Sequence, residues 1–415
     1  MRGFRPSLAA TAAGIALLAA LWAAPSATAS ERDIVVWVPK GYKAAATAAL
    51  PADIDGHRVR VRVRDMSNLA PRLLAGDART APDIVFVDSA NTGSLASAAL
   101  LSPLDLERGT LRTLNKAAVD GFRYGFDIYG VPMQTQNVAL VSNADLVPEA
   151  PRNFRQLRKV ALDLEREGRV SMPLALGQDP TGHAAEALYP LFSGLGGFVF
   201  GTNAGGSVDP TKVGIDNAAF QKHSDRIDSW NASGLLDSSI TQEQAREAFT
   251  NGQSPFWIAA PADIPALTEV PFRYRITAVP QVVSGITPVP MMRSQGFAVT
   301  NFARQHGVLA EASQLVASFA TGARAQRAFF DASPVIGLPA NANAASKVPN
   351  RQLVAFGAAG EGAVAYPNIE QWGRASTAFV GAWRQSTRGP QATPAAVPAA
   401  DAFSAARSAV RQGSA

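Results

Sequence analysis

His183 and Glu186 are three residues apart, the spacing that puts two side chains on one helix face, and an imidazole beside a carboxylate is the start of a metal site. No further histidine lies near them and the chain's four histidines are scattered, so solvated positions are expected, with no metal and no cofactor. Cysteine is absent, which removes disulfides, thiolate zinc sites, iron–sulfur clusters and thiol catalysis together. No Gly-x-Ser-x-Gly elbow and no phosphate loop ending in Gly-Lys-Ser/Thr occurs. Asp163, Glu165 and Glu167 are interspersed with basic residues and read as a solvated helix face. The chain is therefore expected not to be an enzyme.

What remains is hydrogen-bonding chemistry at the ends of apolar runs. Lys40 and Tyr42 follow the first such run and Asp88 follows another, at the carboxyl edge where open α/β sheets bind ligands. Gln134 and Gln136 are two apart in an extended segment, so their side chains leave the same face. An amide both donates and accepts, which suits a hydroxylated ligand.

The elements that must position these groups alternate in type. Asp33–Val38 and Ala81–Val87 are β-branched runs apolar on both faces, as in buried strands, and His57–Val63 alternates Val with Arg or His, as in a strand with one exposed face. An Ala-rich helix from about Ala44 and a helical stretch around Leu69–Ala75 separate them, the order of an α/β domain with a largely parallel sheet. Helices are expected over Arg152–Glu167, Ala184–Phe192, Ala218–Trp230, Val308–Ala320, Gly322–Phe330 and Asp401–Arg411. The Gly-rich stretch 194–206 reads as a loop and Phe256–Ala260 as an apolar strand. Trp37 and Trp257, within apolar runs, are expected in the core.

The chain has 415 residues, 47% hydrophobic and 17% charged, which is enough for two or three domains and too apolar for disorder. Its net charge of +5 comes without a dense basic cluster interleaved with aromatics, so no nucleic-acid partner is expected. Arg2 and Arg5, the apolar run from Leu8 to Ala24 and the small-x-small triplet Ala27-Thr28-Ala29 read as an export signal over residues 1–29, cleaved after Ala29. With no lipid-anchor Cys at that point, the expected location is periplasmic or secreted.

Several blocks, in order, resemble the family 1 extracellular solute-binding proteins of ABC importers, the maltose-binding-protein-like group. They are Val36-Trp37 through Lys40-Gly41-Tyr42, Ala81-Pro82-Asp83-Ile84-Val85-Phe86, and Tyr129-Gly130-Val131-Pro132 with Asn143-Ala144-Asp145-Leu146. Tyr189-Pro190-Leu191 with Gly196-Gly197, Ala248-Phe249 with Gly252 and Pro261, and Tyr366-Pro367-Asn368-Ile369 continue the series. The resemblance implies an α/β, two-lobe periplasmic-binding-protein-like (type II) fold with a ligand cleft between the lobes. Lobe 1 would comprise residues 30–134 with 295–340, and lobe 2 residues 135–294 with 341–415. It also implies capture of a small solute, hinge closure over it and delivery to ABC permease subunits by a protein expected to be a monomer.

The residues that fall near the implied cleft are Lys40, Tyr42, Asp88, Asn91, Gln134, Gln136, Asp179, Tyr189, Asp263, Arg293, Tyr366 and Trp372. Where maltose-binding protein carries aromatic platforms, this chain has Val87, Ala262 and Ser376. Long maltodextrins are therefore expected to be poor ligands, and a mono- or disaccharide or a polyol is favoured. Iron is disfavoured, because ferric-binding relatives use adjacent tyrosines and no two here are adjacent. The alternatives are a non-sugar solute or a secreted sensor or interaction protein of the same fold.

Overall fold

The structure is a computed structural model that describes residues 32–412 apart from 181, 182 and 335; the expected export signal lies outside the described residues. Eight strands frame the two sheets that hold the cleft: β1 (Ile34–Val38), β2 (His57–Val63), β3 (Ile84–Asp88), β4 (Val131–Asn137), β5 (Ala139–Asn143), β6 (Phe256–Ala259), β7 (Tyr274–Thr277) and β8 (Met291–Val299). β1 is apolar on both faces because it lies between β2 and β3, parallel to each, with helices packed against the sheet. β8 runs antiparallel to both β3 and β4, so the sheet is mixed where the sequence pattern suggested a largely parallel one. Short strands at Leu338–Pro339, Val364–Ala365 and Asp53–Ile54 complete it.

A second sheet is antiparallel, with β5 between β6 and β7. Only Val138 separates β4 from β5, so one extended segment leaves the first sheet and becomes the centre of the second. Asn137 secures that crossing, its side-chain amide donating to the Phe356 carbonyl at 2.8 Å.

The cores follow the sheets. One joins Ile34–Met133 side chains to others between Met292 and Ala340; another joins residues from Val138 to Met291 with Trp372, Phe379, Trp383 and Phe403. The amphipathic helix Phe154–Arg166 shows how sequence sets this up. Asn153 caps it by accepting from the Gln156 amide, and Phe154, Leu157, Ala161 and Leu164 are its buried residues. This is the two-lobe arrangement of periplasmic-binding-like proteins. Two local readings change. The stretch Ala218–Trp230 is split into Ala218–Gln221 and Asp225–Ala232. The Gly-rich stretch forms the strand Phe200–Thr202, paired with Val208–Val213 in a hairpin.

Candidate functional site

The ladder between β4 and β8 carries two successive polar pairs, Gln295 opposite Gln134 and Arg293 opposite Gln136. Residues two apart on a strand share a face, so all four side chains leave the same side of the sheet. Their surroundings differ completely.

Around Gln134 everything is closed. Its amide nitrogen donates to Gln295 Oε1 at 2.6 Å and to Tyr42 Oη at 3.2 Å. Its carbonyl oxygen accepts from Ser333 Oγ at 3.1 Å. Tyr42 donates to Gln295 Oε1 at 2.8 Å and packs its ring on Phe86 and Phe329. Gln134 and Tyr42 are thus buried and mutually satisfied within the first lobe. Burial pushes the Tyr42 hydroxyl up to about 12, because the phenolate would lose its hydration.

Two residues further along β4 the ladder opens. Gln136 donates to the Ile336 carbonyl at 2.9 Å and lines a cavity of about 70 Å³ together with Asn137, Val138, His183, Glu186, Ala260, Ala262, Met291 and Arg293. Arg293 spans this space. Its Nε lies 3.1 Å from Asp88 at the end of β3, and its Nη1 lies 3.3 Å from Glu186 on the helix Ala184–Gly194. The guanidinium carbon sits 4.7 Å from the centre of the Tyr366 ring, a cation over an aromatic face. Burial disfavours the Arg293 charge, but Asp88 and Glu186 outweigh that cost and hold its pKa above the ordinary arginine value. Because Asp88 and Arg293 belong to the first sheet and Glu186 to a helix of the second core, this ion network ties one lobe to the other.

Each member is placed by its element. Asp88 caps the turn that follows β3, accepting from the Ala90 amide at 3.0 Å, which fixes its carboxylate toward β8. Tyr366 is held by a backbone bond to Met292, next to Arg293, and by Trp372, whose ring meets it edge-on at 5.3 Å. The segment around Asn368 can lie this close because residue 93 is glycine: a Cβ there would run into the Asn368 carbonyl. Glu186 also accepts from His183 Nδ1 at 3.1 Å, and that bond raises the histidine pKa.

The structure therefore gathers Asp88, Gln136, Arg293 and Tyr366 into one cluster and seats Trp372 behind it in the core. Tyr42 and Gln134 form the closed cluster one step away. Asp263 borders the cavity wall, bound to the Ala260 amide and to Arg246. Asp179 accepts from the Gln242 amide at 2.7 Å, and Tyr189 is buried on its helix against Phe192. Lys40 and Asn91 are exposed, at a loop tip and at the start of the helix Thr92–Ser97.

Glu186, His183 and Gln295 were not among the expected site residues. The three-residue spacing of His183 and Glu186 was visible, and His183 is indeed largely exposed, but the Glu186 carboxylate is buried and ion-paired rather than solvated. Gln295 gave no local signal, since its partner Gln134 is 161 residues away. A larger groove of about 570 Å³ lies between the helix Lys116–Asp120 and the hairpin turn Ala204–Gly206. It gathers none of the expected residues, and its Lys116, Asp120 and Arg123 satisfy one another, so the smaller cleft cavity is the better candidate.

Residues 38–356 match the profile of the bacterial extracellular solute-binding proteins. Among curated relatives, a galactooligosaccharide-binding protein of Bacillus subtilis (strain 168) is 22% identical over 69% of this chain and 69% of its own. A maltooligosaccharide ABC transporter solute-binding lipoprotein of Streptococcus pneumoniae (strain ATCC BAA-255 / R6) is 24% identical over 78% of this chain and 75% of its own. A maltodextrin-binding protein of B. subtilis is 23% identical over 56% and 55%. Among the described residues no helix is long and apolar enough to cross a membrane.

Proposed function

The chain belongs to the bacterial extracellular solute-binding proteins, and from that premise we propose that it captures a small hydroxylated solute, a mono- or disaccharide or a polyol, and hands it to an ABC permease. The observation that carries this reading is the open step of the β4–β8 ladder. There Gln136, Arg293 and Glu186 present donors and acceptors from both lobes to one cavity, with Asp88 holding Arg293 from behind, and a polyhydroxylated molecule needs both kinds at once. The names of the curated relatives support a carbohydrate.

The cleft is shut in this conformation. A cavity of about 70 Å³ is well below the ~300 Å³ and upward of typical ligand pockets, and the Tyr366 face is covered by Arg293. Solute enters when the lobes part and the Arg293–Glu186 contact opens, and closure restores contacts from both sides. Of the three positions lacking an aromatic platform, Ala262 lines the cavity, Val87 is buried in β3 and Ser376 bonds its own helix. This favours a short ligand over a long glucan. The two cores support a division into two lobes like the one expected, with the boundaries moved so that all of β4 and β8, Gln136 and Arg293 included, belong with residues 30–134 and 295–340. Residues 1–29 serve as the export signal on the sequence grounds given above, the product being a monomeric binder without catalysis.

A thermal-shift series tests the reading with galactose, lactose, glucose, maltose, sorbitol and maltotriose. A ligand at ~100 times its Kd adds about 2.7 kcal/mol of stability. A rise with a mono-, disaccharide or polyol and none with maltotriose is expected; a rise with maltotriose alone contradicts the size argument, and no rise with any contradicts the solute class.

A further inference from the structure

We infer that the arginine-bearing face of β2 is a docking surface for an anionic lipid bilayer. On β2 the residues Val59, Val61 and Val63 align with Ile34, Val36 and Val38 of β1, and Val59 and Val61 pack against the core while Val63 at the strand end is exposed. The intervening Arg58, Arg60 and Arg62, continued by Arg64, are all exposed. At two residues per step they form a row with a spacing of about 7 Å. Arg60 pairs with Asp33, and Arg64 lies 5.5 Å over the Trp37 ring. Arg58 and Arg62 form no ion pair with a described residue, although Asp53 stands opposite Arg58 in the short hairpin ladder. Past that hairpin the outer edge of β2 has no neighbouring strand among the described residues, so the row is not hemmed in.

The charge distribution singles out this region. Between Arg32 and Thr80 there are nine Lys and Arg against five Asp and Glu, whereas from Ala81 to the C-terminus there are 27 of each. The whole surplus positive charge of the described chain thus falls within the first 49 described residues, the stretch of sequence that contains β2. A guanidinium matches phosphate oxygens in a bidentate fork, and a flat row of them fits a flat array of phosphate headgroups. Charged residues also guard edge strands against pairing with other chains, but such guarding needs no concentration of net charge. The choice of a bilayer over another polyanion rests on the proposed delivery of solute to a membrane permease; the test does not involve solute.

The full chain is sedimented with vesicles of phosphatidylglycerol and with vesicles of phosphatidylcholine. Binding to the first alone, weakened by added salt, is expected. At about fivefold per basic residue, Arg58→Gln/Arg62→Gln should lower partitioning about 25-fold, while Arg304→Gln/Arg374→Gln, exposed elsewhere, should not. Equal binding to both vesicles, no binding to phosphatidylglycerol, retention of dextran sulfate without vesicle binding, or an unaltered Arg58→Gln/Arg62→Gln variant would overturn the inference. A sugar-induced thermal shift that survives in this variant keeps the solute reading intact either way, and its absence in every form of the protein would strike that reading alone.

Discussion

Two rungs on one face of a ladder, with Thr135–Ser294 between them on the other face, behave as different materials. At Gln134–Gln295 the Gln134 amide is buried with Tyr42, and the bonds that Gln134 makes to Gln295, Tyr42 and Ser333 all lie inside one lobe. At Gln136–Arg293, two residues along, the same strands carry a half-buried amide and a guanidinium whose partners come from both lobes. One rung is neutral and the other carries a guanidinium held by two carboxylates, and they differ further in whether the surrounding groups come from one lobe or from both. A polar cluster within one body adds to folding stability, and one divided between bodies adds to the coupling of binding and closure.

The largest consequence concerns the enclosed rung. Gln134→Ala removes three hydrogen bonds, leaves Tyr42 and Gln295 bonded only to each other and Ser333 without this acceptor, and opens a void beside the buried Tyr42 ring, so it should destabilise by about 3 kcal/mol in urea unfolding. A cost near zero would show that the enclosure is not tight. Next in size is Glu186→Gln, which weakens the tie between lobes while leaving Asp88 to hold Arg293. For a partly exposed pair, about 1 kcal/mol of solute-free stability should be lost, with wider separation of lobe-attached fluorophores. Unchanged separation would mean the pair does not hold the cleft shut.

Titrations sharpen the same contrast. Tyr42 should stay protonated to about 12 in tyrosine absorbance, with its contribution to stability intact below the unfolded value near 10 and lost as pH rises through 12. A Tyr42 that titrates like a free phenol would place it in water. The smallest effect belongs to His183. Its pKa is raised by the bond to Glu186, so its contribution is present below the ordinary histidine value and lost as pH rises through the raised one. The thermal midpoint should fall slightly across that window and lose this slope in His183→Gln; the same slope in the variant would assign it to another group.

The sequence made the first lobe's strands readable because burial on both faces forces the β-branched runs of β1 and β3, and the exposed face of β2 forces its alternation. The hairpin at Phe200–Val213 was hidden by Gly201, Gly205 and Gly206, whose composition reads as loop although Gly206 adopts a positive φ in the turn. Asp88, Gln136, Arg293 and Tyr366 could be named from strand ends and the resemblance, but their convergence could not, since Asp88 and Arg293 are 205 residues apart. Nor could sequence separate Gln134 from Gln136. Same-face spacing is identical for both, and the difference lies in Tyr42 and Ser333, which arrive from distant segments.

Gln134 and Gln136 should thus differ in opposite senses in folding and in binding. Calorimetry should therefore follow the sugar that raises the thermal midpoint of the unaltered protein, with Gln136→Ala and Gln134→Ala measured side by side. Gln136→Ala should weaken binding by about 1–3 kcal/mol, the cost of a ligand hydroxyl left unpartnered, at nearly unchanged unfolding stability. Gln134→Ala should do the reverse. If Gln136→Ala binds the sugar as tightly as the unaltered protein, or if both variants lose stability and affinity together, the cleft at the Gln136–Arg293 rung is not the solute site.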